Sequence, residues 1–115
     1  MPRTFIAAKI HGLRVTDKSL HYTGSQSIPA DLMKAAGIVP YEQVHVVNKH
    51  NGHRWITYAI PSEGHEVRLN GAAARLGEIG DELLLFTYRI EESYSGAAVV
   101  FITPDNEIDR VERYA

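Results

Sequence analysis

The sequence predicts a mostly β protein, a small barrel with short helical pieces. Three observations carry that reading. Short runs rich in Val, Ile, Thr and aromatic residues recur along the chain, each bounded by Gly, Pro, Asn or Asp. Only two segments favour helix, and both are brief. Nothing has the strand–helix–strand spacing of a doubly wound parallel sheet.

The elements follow in chain order. Arg3 to Ile10 alternates as a strand, with Arg3, Phe5, Ala7, Lys9 and His11 on one face and Thr4, Ile6, Ala8 and Ile10 on the other. Gly12 is expected to end it. Arg14 to Tyr22 has room for a second strand. Thr23-Gly24-Ser25-Gln26-Ser27 is small and polar, and reads as a turn. Pro29 suits the first turn of a helix, Asp31 complements its positive end, and Gly37 stops it.

Val44 to Ile60 carries the clearest local signal, two β-rich runs around Asn51-Gly52, a preferred pair for a two-residue hairpin turn. That register sets His50 opposite His53, Lys49 opposite Arg54 and His45 opposite Tyr58. Arg54, Ile56 and Tyr58 share one face of the second strand, and Thr57 lies on the other. Pro61 to Glu66 is a loop and Val67-Arg68-Leu69 a short strand. Asn70 is a good N-cap for a single helical turn over Gly71 to Leu76. Gly80-Asp81 turns into a strand over Leu83 to Tyr88, and Ala97 to Ile102 forms another before the turn at Thr103 to Asn106.

At 115 residues the chain is one domain, 1–115, with 44% apolar residues and a net charge of −2. Its acids and bases are interspersed, which argues against a general nucleic-acid binder. No apolar stretch is long enough for a membrane span, and Lys9 and His11 interrupt what would be a signal-peptide core. Cysteine is absent, which removes disulfides and thiolate metal sites. A cytoplasmic protein is the simplest expectation.

Several residues can do chemistry, and each has a plainer alternative. Gly24-Ser25 places a hydroxyl beside a carbonyl whose residue tolerates backbone angles closed to others, so a strained, self-cleaving peptide is possible there. Gly-Ser is also a very common turn pair. Lys9 and Arg54 can clamp a dicarboxylate, or be solvated strand-edge charges. Tyr58 can serve as a general acid, or as an ordinary cross-strand aromatic. His45, His50 and His53 can be imagined around zinc, yet no cysteine or carboxylate joins them, and a solvated hairpin tip explains them. Ser25 with His11 or His21 lacks the pattern of a hydrolase nucleophile elbow.

A resemblance goes further. Arg3, Ala8-Lys9-Ile10-His11, Val15-Thr16, Leu20, Tyr22 and Gly24-Ser25 stand in an order and spacing similar to the pyruvoyl-dependent aspartate 1-decarboxylase family. So do Ala35 to Ile38, Tyr41-Glu42, Asn48, Asn51-Gly52, Arg54, Thr57 to Ile60, Leu69 to Arg75 and Gly80-Asp81. Pro29 and Val47 depart from that pattern, and the tail after Tyr88 resembles the family loosely.

The resemblance implies a double-psi β-barrel in a cytoplasmic homotetramer with active sites at subunit interfaces, working in pantothenate and coenzyme A biosynthesis. It implies self-cleavage between Gly24 and Ser25 into a β chain, residues 1–24, and an α chain, residues 25–115. Ser25 then becomes a pyruvoyl group that forms a Schiff base with L-aspartate, with no metal and no pyridoxal phosphate. It assigns Tyr58 as proton donor and Lys9, Arg54, Thr57, Gly71, Ala72 and Ala73 to the substrate. Gly24, Ser25 and Asn70 belong to processing. Arg54, Tyr58 and Thr57 can line one site only if their strand twists, carries a bulge, or serves a site reached from both faces. Maturation with the help of another protein is compatible with the same sequence. The rival reading is a non-enzymatic β-barrel binding module, similar to swapped-hairpin regulators.

Overall fold

The computed structural model describes residues 1–114. Nine strands, one α-helix and one 3-10 helix follow along the chain. The strands are β1 (Arg3–Arg14), β2 (Asp17–Ser19), β3 (Ser25–Pro29), β4 (Gln43–Asn48), β5 (Arg54–Ser62), β6 (Arg68–Asn70), β7 (Glu82–Glu91), β8 (Ala97–Ile102) and β9 (Ile108–Tyr114). The helix α1 spans Ala30–Ala36, and the 3-10 helix Gly71–Arg75.

Hydrogen-bonded neighbours run β2-β6-β3-β5-β4-β7-β1-β8-β9. Only Val15 and Thr16 separate β1 from β2, although the two strands stand six places apart in that order. The sheet must therefore curl on itself, which makes the molecule a small, mostly β barrel with β8 and β9 continuing past the closure. The join is hydrogen-bonded: Val15 N donates to Asp81 O at 3.0 Å, and Thr16 N to Val67 O at 2.9 Å. Inside lie Ile10, Leu13, Ile28, Leu32, Val44, Val46, Leu69, Leu83 and Leu85, all fully buried.

Local chemistry explains most boundaries. Pro29 closes β3 and precedes α1, and Gly37 ends the helix in the left-handed region, donating to Lys34 O. Four expectations need correction. Gly12 does not end β1; the strand continues to Arg14, with irregularities between Ile6 and Ala8 and between His11 and Leu13. Gly12 adopts a φ of 106° that a side chain would resist, and so lets the strand bend without stopping. Ser25, Gln26 and Ser27 are buried strand rather than turn. β5 extends to Ser62, so the loop after it starts later than Pro61.

The fourth correction concerns the hairpin. Val47 pairs with Arg54, His45 with Ile56, and Gln43 with Tyr58. Every partner is displaced by two residues from the two-residue-turn register, which leaves face assignments intact but lengthens the connection. The cause is Asn48. It is fully buried; its Nδ2 donates to Asp81 Oδ2 at 2.8 Å and Leu76 O at 3.1 Å, and its Oδ1 accepts from His50 N at 2.9 Å. Its backbone carbonyl accepts from Gly52 N at 2.9 Å, where Gly52 has a φ of 76°. These bonds draw Lys49 and His50 into the turn, while His53 stays opposite Asn48, whose N–H donates to His53 O at 2.8 Å.

Candidate active site

The β-sheet register divides the expected site residues between two surfaces. One row crosses four strands as Lys9, Phe86, His45 and Ile56, each opposite the next. The adjacent row runs His11, Leu84, Val47 and Arg54. These rows form the outer face, and Tyr58 shares it by alternation along β5. The rows between them hold Ile10, Leu85, Val46 and Trp55 on the core side. Thr57 pairs with the buried Val44 and so belongs to that inner side.

On the outer face, Phe86 lies between two cations. Lys9 Nζ is 5.7 Å from its ring centre and the Arg54 guanidinium carbon 5.8 Å, both within cation–π range. Arg54 also donates to the Tyr88 hydroxyl at 3.4 Å. Tyr58 sits beside Tyr41, with ring centres 6.2 Å apart. Phe86 is a member of this group that the sequence did not single out. Its only signal was the strand alternation that gives it the same face as Lys9. His11 packs edge-on against Phe101, and burial followed by the charge of Lys9 holds its imidazolium pKa below the usual range. His45 packs edge-on against Tyr88 at 4.8 Å, while His50 lies in the turn and His53 follows it, immediately before β5.

On the inner side, Ser25 opens β3 opposite Asn70, the last residue of β6. Both are buried, Ser25 to 2% exposure and Asn70 to 1%. Asn70 Nδ2 donates to Ser25 Oγ at 3.0 Å and to Ser27 Oγ at 3.1 Å. Asn70 stands before the 3-10 helix but makes no side-chain cap to it, contrary to expectation: its Nδ2 is turned to the two serines, and Oδ1, the atom that would cap, is buried without a partner among the described residues. A hydroxyl has two lone pairs and one proton, so accepting from Asn70 leaves Ser25 Oγ one lone pair for attack. No imidazole or carboxylate bonds this oxygen among the described residues, which counts against a serine-hydrolase pairing with His11 or His21.

Gly24, Trp55, Ile56, Thr57, Asn70, Ala72, Ala73 and Leu76 line a hollow of about 200 Å³ beside this pair. A larger cavity, about 540 Å³ between α1 and β7 to β9, contains none of the expected site residues. Gly24 itself does not use a left-handed φ, so the expected strain is not visible there; the positive φ of 65° belongs to Gly71. The predicted tension at Thr57 also resolves. Pairing of β5 with β4 is continuous from Arg54 to Tyr58, so no bulge rotates Thr57 toward Arg54 and Tyr58. The residues fall on two faces.

Comparison with known proteins then fixes the lineage. The family model described as aspartate decarboxylase matches residues 1–109.

The chain belongs to the aspartate decarboxylase family.

It is 48% identical to an aspartate 1-decarboxylase of Trichormus variabilis, over 99% of this chain and 94% of the relative. Identity to the aspartate 1-decarboxylase of Pyrobaculum islandicum is 45%, over 94% and 91% of the two chains. The Acaryochloris marina protein of the same name is 56% identical over 76% of this chain and 69% of its own length. The matches at 94% and above take in the segment after Tyr88, whose residues by themselves resemble the family only loosely.

Proposed function

We propose that the chain converts L-aspartate to β-alanine and CO2 with a pyruvoyl group made from its own Ser25. The observation that carries this is the buried hydrogen bond from Asn70 to Ser25 beside Gly24, in a chain of the aspartate decarboxylase family. We place the reaction in the cytoplasm and in pantothenate and coenzyme A synthesis.

Processing comes first. Asn70 fixes Ser25 Oγ, which attacks the Gly24 carbonyl carbon; the C–N bond breaks and the hydroxyl proton passes to nitrogen, giving an ester. Loss of the Ser25 Cα proton with cleavage of Cβ–Oγ releases a Gly24 carboxylate and leaves dehydroalanine. Water then replaces its nitrogen as ammonia. A carbonyl at position 25 fits this pocket: the Asn70 amide is a buried donor already aimed there, and the adjacent hollow has floor residues no larger than alanine at Ala72 and Ala73. The pyruvoyl group supplies a conjugated carbonyl that accepts the electron pair freed as CO2 departs.

Other residues bind and orient. Thr57, Ala72 and Ala73 line the hollow, and we assign them, with the neighbouring Gly71, to the substrate. Arg54, with Lys9, holds the side-chain carboxylate so that the α-carboxylate leaves, and Tyr58 returns a proton to the α-carbon. Because these three lie on the outer face, we assign them to a neighbouring copy's hollow or to the rim between copies, within a homotetramer. The partly buried apolar residues of that face, Phe86, Leu84 and Val47, with the 57%-exposed Ile56, favour such an interface.

Intact mass spectrometry tests the reading. Wild-type chain, incubated alone or with cell extract to supply any maturation factor, is expected to give fragments 1–24 and 25–115, the latter blocked at its N-terminus. Ser25→Ala should stay whole and produce no β-alanine. A wild-type chain that decarboxylates aspartate while uncut sinks the self-processing claim.

A further inference from the structure

Gly71 presses against the peptide that is to be cut. A β-carbon built on it would lie 3.0 Å from Gly24 Cα, 3.2 Å from Gly24 N and 3.2 Å from Tyr22 O. All three are backbone atoms of the segment leading into Ser25, so no flexible side chain can swing away. The neighbouring residues are held as well: Arg68 lies over the Tyr22 ring at 5.9 Å, and Asn70, next to Gly71, anchors Ser25. The segment from Tyr22 to Ser25 is thus seated on the stretch from Arg68 to Gly71.

We propose that Gly71 is a positioning residue for self-cleavage, whose missing side chain lets Gly24 settle where its carbonyl carbon meets Ser25 Oγ. The inference rests on the processing reading above. It is separate from any role of Gly71 toward substrate, because the contact is with Gly24. Displacing Gly24 moves the electrophile while Asn70 still holds the nucleophile, and a misplacement near 1 Å is enough to cost about a hundredfold in rate.

The φ of 65° at Gly71 must be separated from the contact, since any side chain is strained there. Gly64 provides the control: its φ is 58°, and a β-carbon on it meets nothing within 4 Å. Asparagine tolerates this region better than alanine, which keeps the variants folded. Purified Gly71→Asn, Gly71→Ala, Gly64→Asn and wild-type chains, each incubated alone and with the same cell extract, are followed by denaturing gel and intact mass, below the melting temperature of each. Cleavage in both Gly71 variants should be at least tenfold slower than in Gly64→Asn, which should stay within twofold of wild type. Gly71→Asn cutting within twofold of Gly64→Asn overturns the proposal. Wild-type chain that never cuts overturns the processing reading itself, before any variant is compared.

Discussion

Replacing Asn70 with alanine tests how much of the site depends on one amide. The side chain donates to Ser25 Oγ at 3.0 Å and Ser27 Oγ at 3.1 Å, in surroundings closed to water. Two hydrogen bonds at about 1 kcal/mol each give a loss of roughly 2 kcal/mol. With an unfolding entropy near 2.1 cal/mol/K per residue over 115 residues, that lowers the melting temperature by about 8 °C. Melts must be compared at one protein concentration, because the proposed subunit association would also set the midpoint. Cleavage should suffer more than stability. Without the amide, the Ser25 hydroxyl is free to visit three staggered rotamers, and the productive one is no longer selected. We expect cleavage to slow by about ten- to a hundredfold, on the scale of a small misplacement of a reacting atom. The assay is the time course of uncut chain on a denaturing gel, beside a thermal melt. A melting point lowered as calculated with cleavage at the wild-type rate would show that Asn70 only fills and satisfies the core.

Two further outcomes follow. Tyr58→Phe should leave cleavage within about threefold of wild type but lower kcat for aspartate by about a hundredfold, the scale of a lost general acid; loss of cleavage instead would place Tyr58 in processing. Asp81 has its carboxyl pKa held below the usual carboxylate range, first by the Asn48 amide and then by the Glu78 backbone N–H. Its folded pKa lies below its unfolded one, so its stabilisation is present above the unfolded value and is lost as pH falls through the folded value. Asp81→Asn should therefore flatten the acid side of a melting-temperature profile below about pH 4; an unchanged slope in melts from pH 6 to 3 would refute the coupling.

Much of the fold was legible where local chemistry decides. Pro29 and Gly37 bracket α1, and the apolar run at Leu83 to Leu85 marks β7. The hairpin register was not legible, because it depends on Asn48 finding Asp81 and Leu76, partners distant in sequence. Ser25 to Ser27 read as a turn for the same kind of reason: small polar residues suit a buried strand only when Asn70 satisfies them from another strand. β9 carries no apolar periodicity and is exposed throughout, so nothing in Asp109-Arg110-Val111-Glu112-Arg113 announced it. For the site, residue types and the family resemblance picked out Gly24, Ser25, Asn70 and Thr57, which the fold brings to one hollow or its edge. Strand alternation already set Arg54 and Tyr58 on the face opposite Thr57; it could not bring Lys9 to that same face, since that follows from tertiary pairing across four strands.

The place of β1 decides what the proposed cleavage would do to the molecule. The strand lies between β7 and β8 and is hydrogen-bonded along both edges. A cut after Gly24 detaches this strand covalently while leaving it the middle plank of the sheet. The folded protein scarcely registers the loss, but the unfolded one does: a strand that folded as part of its own chain must now find a separate polypeptide. Its effective concentration, millimolar or more when tethered, falls to that of the protein in solution. The proposed maturation would therefore convert a unimolecular folding problem into a bimolecular one, and heat or denaturant from which the uncut chain refolds should inactivate the cut one for good when dilute.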